Sequence, residues 1–174
     1  MSILQTKRCD LIPAPPEFLE LLVANEYRRA GDVIGVIVPV GWPHDADART
    51  GLSIHLRAVQ ENPTELLWRI RLIVQRPTRI LIGSINLKGP PSEDGTVEIG
   101  WGVNAEFRCQ GIATEASQAV MAWAFEQAGV GRVMATIPAD NAASVEVAKR
   151  LGMRPTKEIW RGLPVWALSK AERK

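Results

Sequence analysis

Cysteine is scarce: Cys9 and Cys109 are the only two in 174 residues. Two are too few for a disulfide framework, and alone they cannot complete a zinc site. The two histidines, His44 and His55, stand far from both and not at ligand spacing. No metal centre is therefore expected. A charge excess is also missing, with 21 Lys and Arg against 19 Asp and Glu. A nucleic-acid binder would usually show a strong basic surplus, so no nucleic-acid partner is expected. Long apolar runs are absent. The longest helical one, around Ala119 to Phe125, falls far short of the ~20 residues a membrane span needs. Met1 to Asp10 carries no apolar core of the signal-peptide kind. With so little cysteine, the expectation is a cytoplasmic protein with no membrane association. Internal repeats and low-complexity tracts are lacking too.

What remains is an ordinary globular balance of 46% hydrophobic and 23% charged residues. One domain over residues 1–174 is expected. The segment Ile3–Ile12 reads as a strand. Pro15-Pro16 introduce a helix over Glu17–Leu22. Gly31 to Pro43 reads as an apolar loop punctuated by Gly and Pro, and a second helix runs from Asp47 to Glu61, stopped by Asn62-Pro63. Three strands follow at Trp68–Val74, Arg79–Leu87 and Thr96–Val103. Ile112, Ala116, Ala119, Val120, Trp123 and Gln127 recur at helical spacing, so a helix buries one side there. Arg132–Ile137 reads as a strand, and a helix over Ala142–Leu151 is capped by Asp140 or Asn141 and closed by Gly152. Ile159-Trp160 and Val165–Leu168 form a closing hairpin around Gly162-Leu163-Pro164. This order predicts an α/β fold, a mixed sheet flanked by helices.

Two glycine motifs carry different weight. Gly100-Trp101-Gly102-Val103-Asn104-Ala105 matches a loose dinucleotide fingerprint after a strand. That fingerprint needs a helix opening at the glycines and an acidic strand end about 20 residues on. Here the helix opens near Gly111, and Phe125 and Glu126 lie inside it, so the match fails. The segment Arg108-Cys109-Gln110-Gly111-Ile112-Ala113-Thr114 lies between a strand and a helix start. Backbone N–H groups at such a start suit phosphate, and Gly111 allows close approach. Its structural alternative is an ordinary polar helix cap.

The context of this loop resembles the GNAT acetyltransferase family, and its RimJ/RimL-like branch in particular. Arg108, Gly111 and Ala113 match the family's phosphate loop. Val97–Val103 before it, and Asp140-Asn141-Ala142-Ala143-Ser144 with Lys149–Met153 after it, also resemble the family. The likeness runs over about Ile80 to Met153. It implies a GNAT-type twisted sheet, splayed at its centre, that binds acetyl-CoA in the split. The pyrophosphate would sit on Arg108, Cys109, Gln110, Gly111, Ile112, Ala113 and Thr114, and the pantetheine arm beside the strand ending at Val103 and on Asn141. Pairing of pantetheine amides with an open strand edge is ordinary strand addition.

The family's chemistry implies transfer of acetyl to an amine, a protein N-terminus in the RimJ/RimL-like branch. A small-molecule amine acceptor and a non-catalytic acyl-CoA-binding module stay open. Three positions depart from the pattern. Cys109 replaces a small Gly, Met153 replaces a Phe, and Ala148 stands where many members carry a Tyr that protonates the leaving thiolate. Ser144, three residues after Asn141, is the substitute proton donor; its alternative is a first-turn residue bonding to backbone. Glu98 matches the glutamate used as base by histone acetyltransferases of the family. Strand alternation sets it on the face of Gly100 and Gly102. Its alternative is a structural pair with Arg69, Arg71 or Arg79. His44 and Trp42, Trp68 and Trp160 are candidate walls of the acceptor site. Exposed Trp and apolar loops leave room for a homodimer.

Overall fold

The computed structural model describes residues 3–43 and 46–173. His44 lies outside them. Two short strands, β1 (Leu4–Gln5) and β2 (Cys9–Pro13), are followed by helices α1 (Pro16–Val23), α2 (Tyr27–Ile34) and α3 (Ala46–Glu61). Then come β3 (Ile70–Gln75), β4 (Leu81–Leu87), β5 (Thr96–Val103), α4 (Ile112–Glu126), β6 (Arg132–Thr136), α5 (Ala142–Arg150), β7 (Arg154–Trp160) and β8 (Leu163–Ser169). The fold is mixed α/β, an eight-stranded sheet in the order β1-β2-β3-β4-β5-β6-β8-β7.

One junction in this sheet differs from the rest. All neighbours pair antiparallel except β5 and β6, which run parallel. Their pairing covers only Thr96↔Arg132, Val97↔Val133 and Glu98↔Met134. Beyond Glu98, β5 continues to Val103 with β4 as its sole strand partner among the described residues. The sheet thus splays at its centre.

Each face of the sheet has its own core. On one side α4 sets Val120, Ala124 and Phe125 against Ile85, Leu87, Val97 and Ile99. On the other, Phe18 and Leu19 of α1 and Leu52 of α3 cover Ile70, Leu72 and Val74. Phe18 and Leu19 are almost wholly buried, and each such side chain contributes about 1.5–3 kcal/mol. Since Val97 and Ile99 point to the α4 side, alternation turns Glu98, Gly100 and Gly102 to the other side.

The structure corrects three sequence expectations. The strand expected over Ile3–Ile12 is broken into a hairpin, β1 and β2. The Thr6 hydroxyl donates to the Cys9 carbonyl and accepts from the Cys9 N–H, so this side chain closes the turn. Gly31 belongs to helix α2 and not to a loop. A Cβ there would fall 2.3 Å from the Val36 carbonyl oxygen, so the glycine serves close packing of the chain that follows. Trp68 ends a 3-10 helix, Pro63–Trp68, and packs on Trp123 with ring centroids 4.9 Å apart and planes tilted by 57°. The strand therefore starts at Ile70.

Candidate active site

The loop between β5 and α4 is held by its own side chains. Arg108 Nε donates to the Val103 carbonyl at 3.0 Å, tying the loop to the end of β5. Gln110 Nε2 donates to the Glu106 carbonyl at 3.2 Å. Gly111 caps α4 at φ +75°, and a Cβ there would meet only the tip of Arg8. Cys109 holds a left-handed φ of +58°, an uncommon conformation for a non-glycine residue. Arg108, Cys109, Gln110 and Gly111 are exposed, Ala113 and Thr114 half-buried, and Ile112 is anchored in the core. The loop is therefore a fixed rim of backbone at the start of a helix, the arrangement that suits a phosphate.

Sequence reasoning missed Arg8. It sits at the β1–β2 turn, and its N–H and Nε bond both carboxylate oxygens of Glu115 at 2.9 and 2.7 Å. Its Nη1 donates to the Gln110 carbonyl at 2.8 Å. The N-terminal hairpin thus pins both the β5–α4 loop and the first turn of α4. Burial works to raise the Glu115 pKa, but bonds from Thr6 and Arg8 outweigh it and hold the carboxyl below its ordinary value.

The open side of β5 lies next to this loop. A Cβ placed on Gly100 or Gly102 would meet nothing within 4 Å. Beyond Glu98 the strand has backbone groups that β6 does not pair. Asn141 caps α5, its Oδ1 accepting from the Ser144 N–H at 3.0 Å. Its amide nitrogen has no hydrogen bond among the described residues. Ser144 is half-buried in the first turn of α5, and Ala148 is buried and brings no hydroxyl.

Glu98 is half-buried, and its Oε1 accepts from the Thr136 hydroxyl at 3.0 Å, across the last β5–β6 pairs. Among the described residues, Glu98 forms no ion pair with Arg69, Arg71 or Arg79. Arg69 pairs with Glu65, Arg79 reaches Asp10 at 3.0 Å, and the Arg71 guanidinium lies 4.6 Å from the Trp123 ring. Burial lowers the Arg71 pKa to about 10. On the Glu98 side of the sheet a cavity of about 180 Å³ opens between β4 and α3. Trp42 lines it, as do His55, Ser84, Asn86 and Lys88. Trp68 is elsewhere, packed on Trp123 of α4, and Trp160 is exposed in the β7–β8 hairpin. His55 is 4% exposed. Burial first, then the charges of Lys88 and Arg69, lower its pKa to about 4, so the ring is neutral at neutral pH.

Residues 15–154 match the family model described as acetyltransferase (GNAT) domain. YjdG of Bacillus subtilis (strain 168), described as an uncharacterized N-acetyltransferase, is 32% identical over 81 residues, 47% of this chain and 48% of that protein. YnaD of the same organism, with the same description, is 39% identical over 59 residues, 34% of this chain and 35% of that protein. The chain thus spans about half the length of the first of these curated relatives and about a third of the second. Among solved structures, RimL, a ribosomal alpha-N-protein acetyltransferase in complex with coenzyme A, shares the fold. Its TM-score is 0.64 at 16% identity, over 99% of this chain and 100% of that one.

Proposed function

The chain belongs to the GNAT acetyltransferases, and from that premise we propose that it acetylates a primary amine at a protein N-terminus, as a RimJ/RimL-like member. The family uses acetyl-CoA, which supplies the acetyl group as a thioester. The observation that carries the reading is the unpaired edge of β5 past Glu98, set beside a phosphate-type loop and lined by two glycines without Cβ atoms. These residues fit the group. The exposed backbone of Arg108, Cys109, Gln110, Gly111, Ala113 and Thr114, with that of Ile112, would hold the pyrophosphate. The β5 edge up to Val103 and the free amide of Asn141 would hold the pantetheine arm.

The roles of the chain's own residues follow from their positions. Glu98 keeps Oε1 on Thr136, and its Oε2 accepts nothing among the described residues. That oxygen is the one to take the ammonium proton, directly or through one water. Backbone N–H groups near Trp101 to Val103 stabilise negative charge that develops on the carbonyl oxygen. Ser144, at the head of α5, is the candidate to return a proton to sulfur, with solvent as its rival. The printed description of RimL as a protein α-N-acetyltransferase supports the choice of acceptor. A small-molecule amine is the second reading, favoured by the small volume of the cavity on the Glu98 side. The two free cysteines suit a reducing cytoplasm, where we place the reaction. We take residues 1–174 as one domain. The exposed Ile159 and Trp160 are the surface for any homodimer. Thiol release from acetyl-CoA, measured against peptides and small amines, tests the proposal. Amine-dependent release is expected, and its absence with every amine would overturn the reading.

A further inference from the structure

Thr136 reaches from β6 across the split in the sheet. Val133 and Ala135 point to the α4 core, so alternation turns Met134 and Thr136 to the face of Glu98. The parallel register ends at Glu98↔Met134, and Thr136 lies two positions beyond it on β6. On β5 the same two positions lead to Gly100, which pairs with Asn86 of β4 and not with Thr136. The two strands have parted by this point. Yet the Thr136 hydroxyl donates to Glu98 Oε1 at 3.0 Å. Among the described residues it is the only side-chain hydrogen bond between β5 and β6.

That bond fixes a direction. Two residues of a parallel strand rise roughly 6–7 Å. Glu98 therefore meets Thr136 by leaning forward along β5, away from Met134 beside it. Ahead of it on the same face stand Gly100 and Gly102, and a Cβ on either would meet nothing within 4 Å. The carboxylate is swung down the split, over a strand edge without side chains. An untethered Glu side chain spreads over several rotamers. Thr136 is β-branched, and its stiff χ1 holds the hydroxyl in place. A hydroxyl also brings no counter-charge, whereas an Arg or Lys would occupy the carboxylate as an ion pair.

We propose that Thr136 is a positioning residue for acetyl transfer: its hydroxyl holds Glu98 Oε1 so that Oε2 faces the incoming amine. The role rests on the reading of Glu98 as the base. A double-mutant cycle on thiol release from acetyl-CoA tests it, with triglycine and benzylamine as acceptors. Thr136→Val removes the hydroxyl at nearly constant size. It should lower kcat at least about fivefold while acetyl-CoA affinity in calorimetry stays unchanged. Thr136→Ser keeps the donor and should stay within about threefold of wild type. In the Glu98→Gln background, Thr136→Val should cost no more than about a further twofold, since the base it positions is gone. A crystal structure of Thr136→Val should show Glu98 turned away from its wild-type direction. Four results would each overturn the positioning role and leave the base standing: wild-type kcat in Thr136→Val, no rescue by Thr136→Ser, an undiminished loss in the Glu98→Gln background, or an unmoved Glu98. Wild-type turnover in Glu98→Gln, or none with any amine, would instead overturn the reading beneath the role, and the role with it.

Discussion

Glu98 and His55 lie on the same side of the sheet, the one opposite α4, and each makes a prediction through its proton. Glu98→Gln keeps the size of the side chain and removes the base. Acetyl-CoA affinity should hold while turnover near neutral pH falls at least about tenfold, with partial recovery at alkaline pH as the amine loses its proton unaided. Wild-type turnover in that variant would remove Glu98 from the chemistry. His55 works through stability. Its folded pKa of about 4 lies below its ordinary 6.5. Between those values the unfolded chain binds a proton that the folded chain does not, so stability falls as pH drops from about 6.5 to about 4 and flattens below. The ceiling on that loss is about 3 kcal/mol. Thermal melts from pH 7 to 4 should show a smaller acid loss in His55→Gln than in the wild type. Equal losses would mean that the buried ring is not the source.

Single elements explain how the loop before α4 keeps its shape. Gly111 sits at φ +75°, which a β-branched residue hardly adopts. Gly111→Val should therefore weaken acetyl-CoA binding strongly in calorimetry, and unchanged affinity would sink the loop's role. Arg8 holds the same loop from across the sheet. Its pair with Glu115 is partly exposed, at 41% and 22% for the two side chains, so its worth to global stability is modest, under about 1 kcal/mol. Arg8→Ala should lower acetyl-CoA affinity several-fold while the melting temperature scarcely moves. A large drop in melting temperature with intact affinity would make Arg8 a structural residue only. Strand β5 was legible residue for residue, because alternation and the flanking turns are local. Helices α4 and α5 were legible from periodicity and caps. Arg8 was not, since its partners Gln110 and Glu115 lie more than a hundred positions away in the chain. Helix α2 was hidden by Gly31, whose presence follows from contact with Val36 and not from any helical pattern.

For the molecule as a whole, a donor that binds the folded chain alone stabilises it by mass action. At one hundred times its dissociation constant, acetyl-CoA should add about 2.7 kcal/mol, read as a rise of roughly 5–10 °C in melting temperature. No rise would mean that the folded chain does not take it up. The splayed architecture was foreseeable from the family likeness, whereas the cavity between β4 and α3 was not. It assembles Trp42, α3 and β4, segments whose meeting no local pattern announces.

The junction between β5 and β6 has a mechanical meaning. Three residue pairs join the five strands β1–β5 to the three strands β6–β8. The sheet therefore has a seam at its centre, crossed by three residue pairs where the neighbouring β4–β5 and β6–β8 junctions have five each. The donor, on the reading above, lies along that same seam and supplies cross-links that the polypeptide omits. Loading the protein then acts as suturing: the two half-sheets become one stiffer plate when the donor is in place and regain compliance when it leaves.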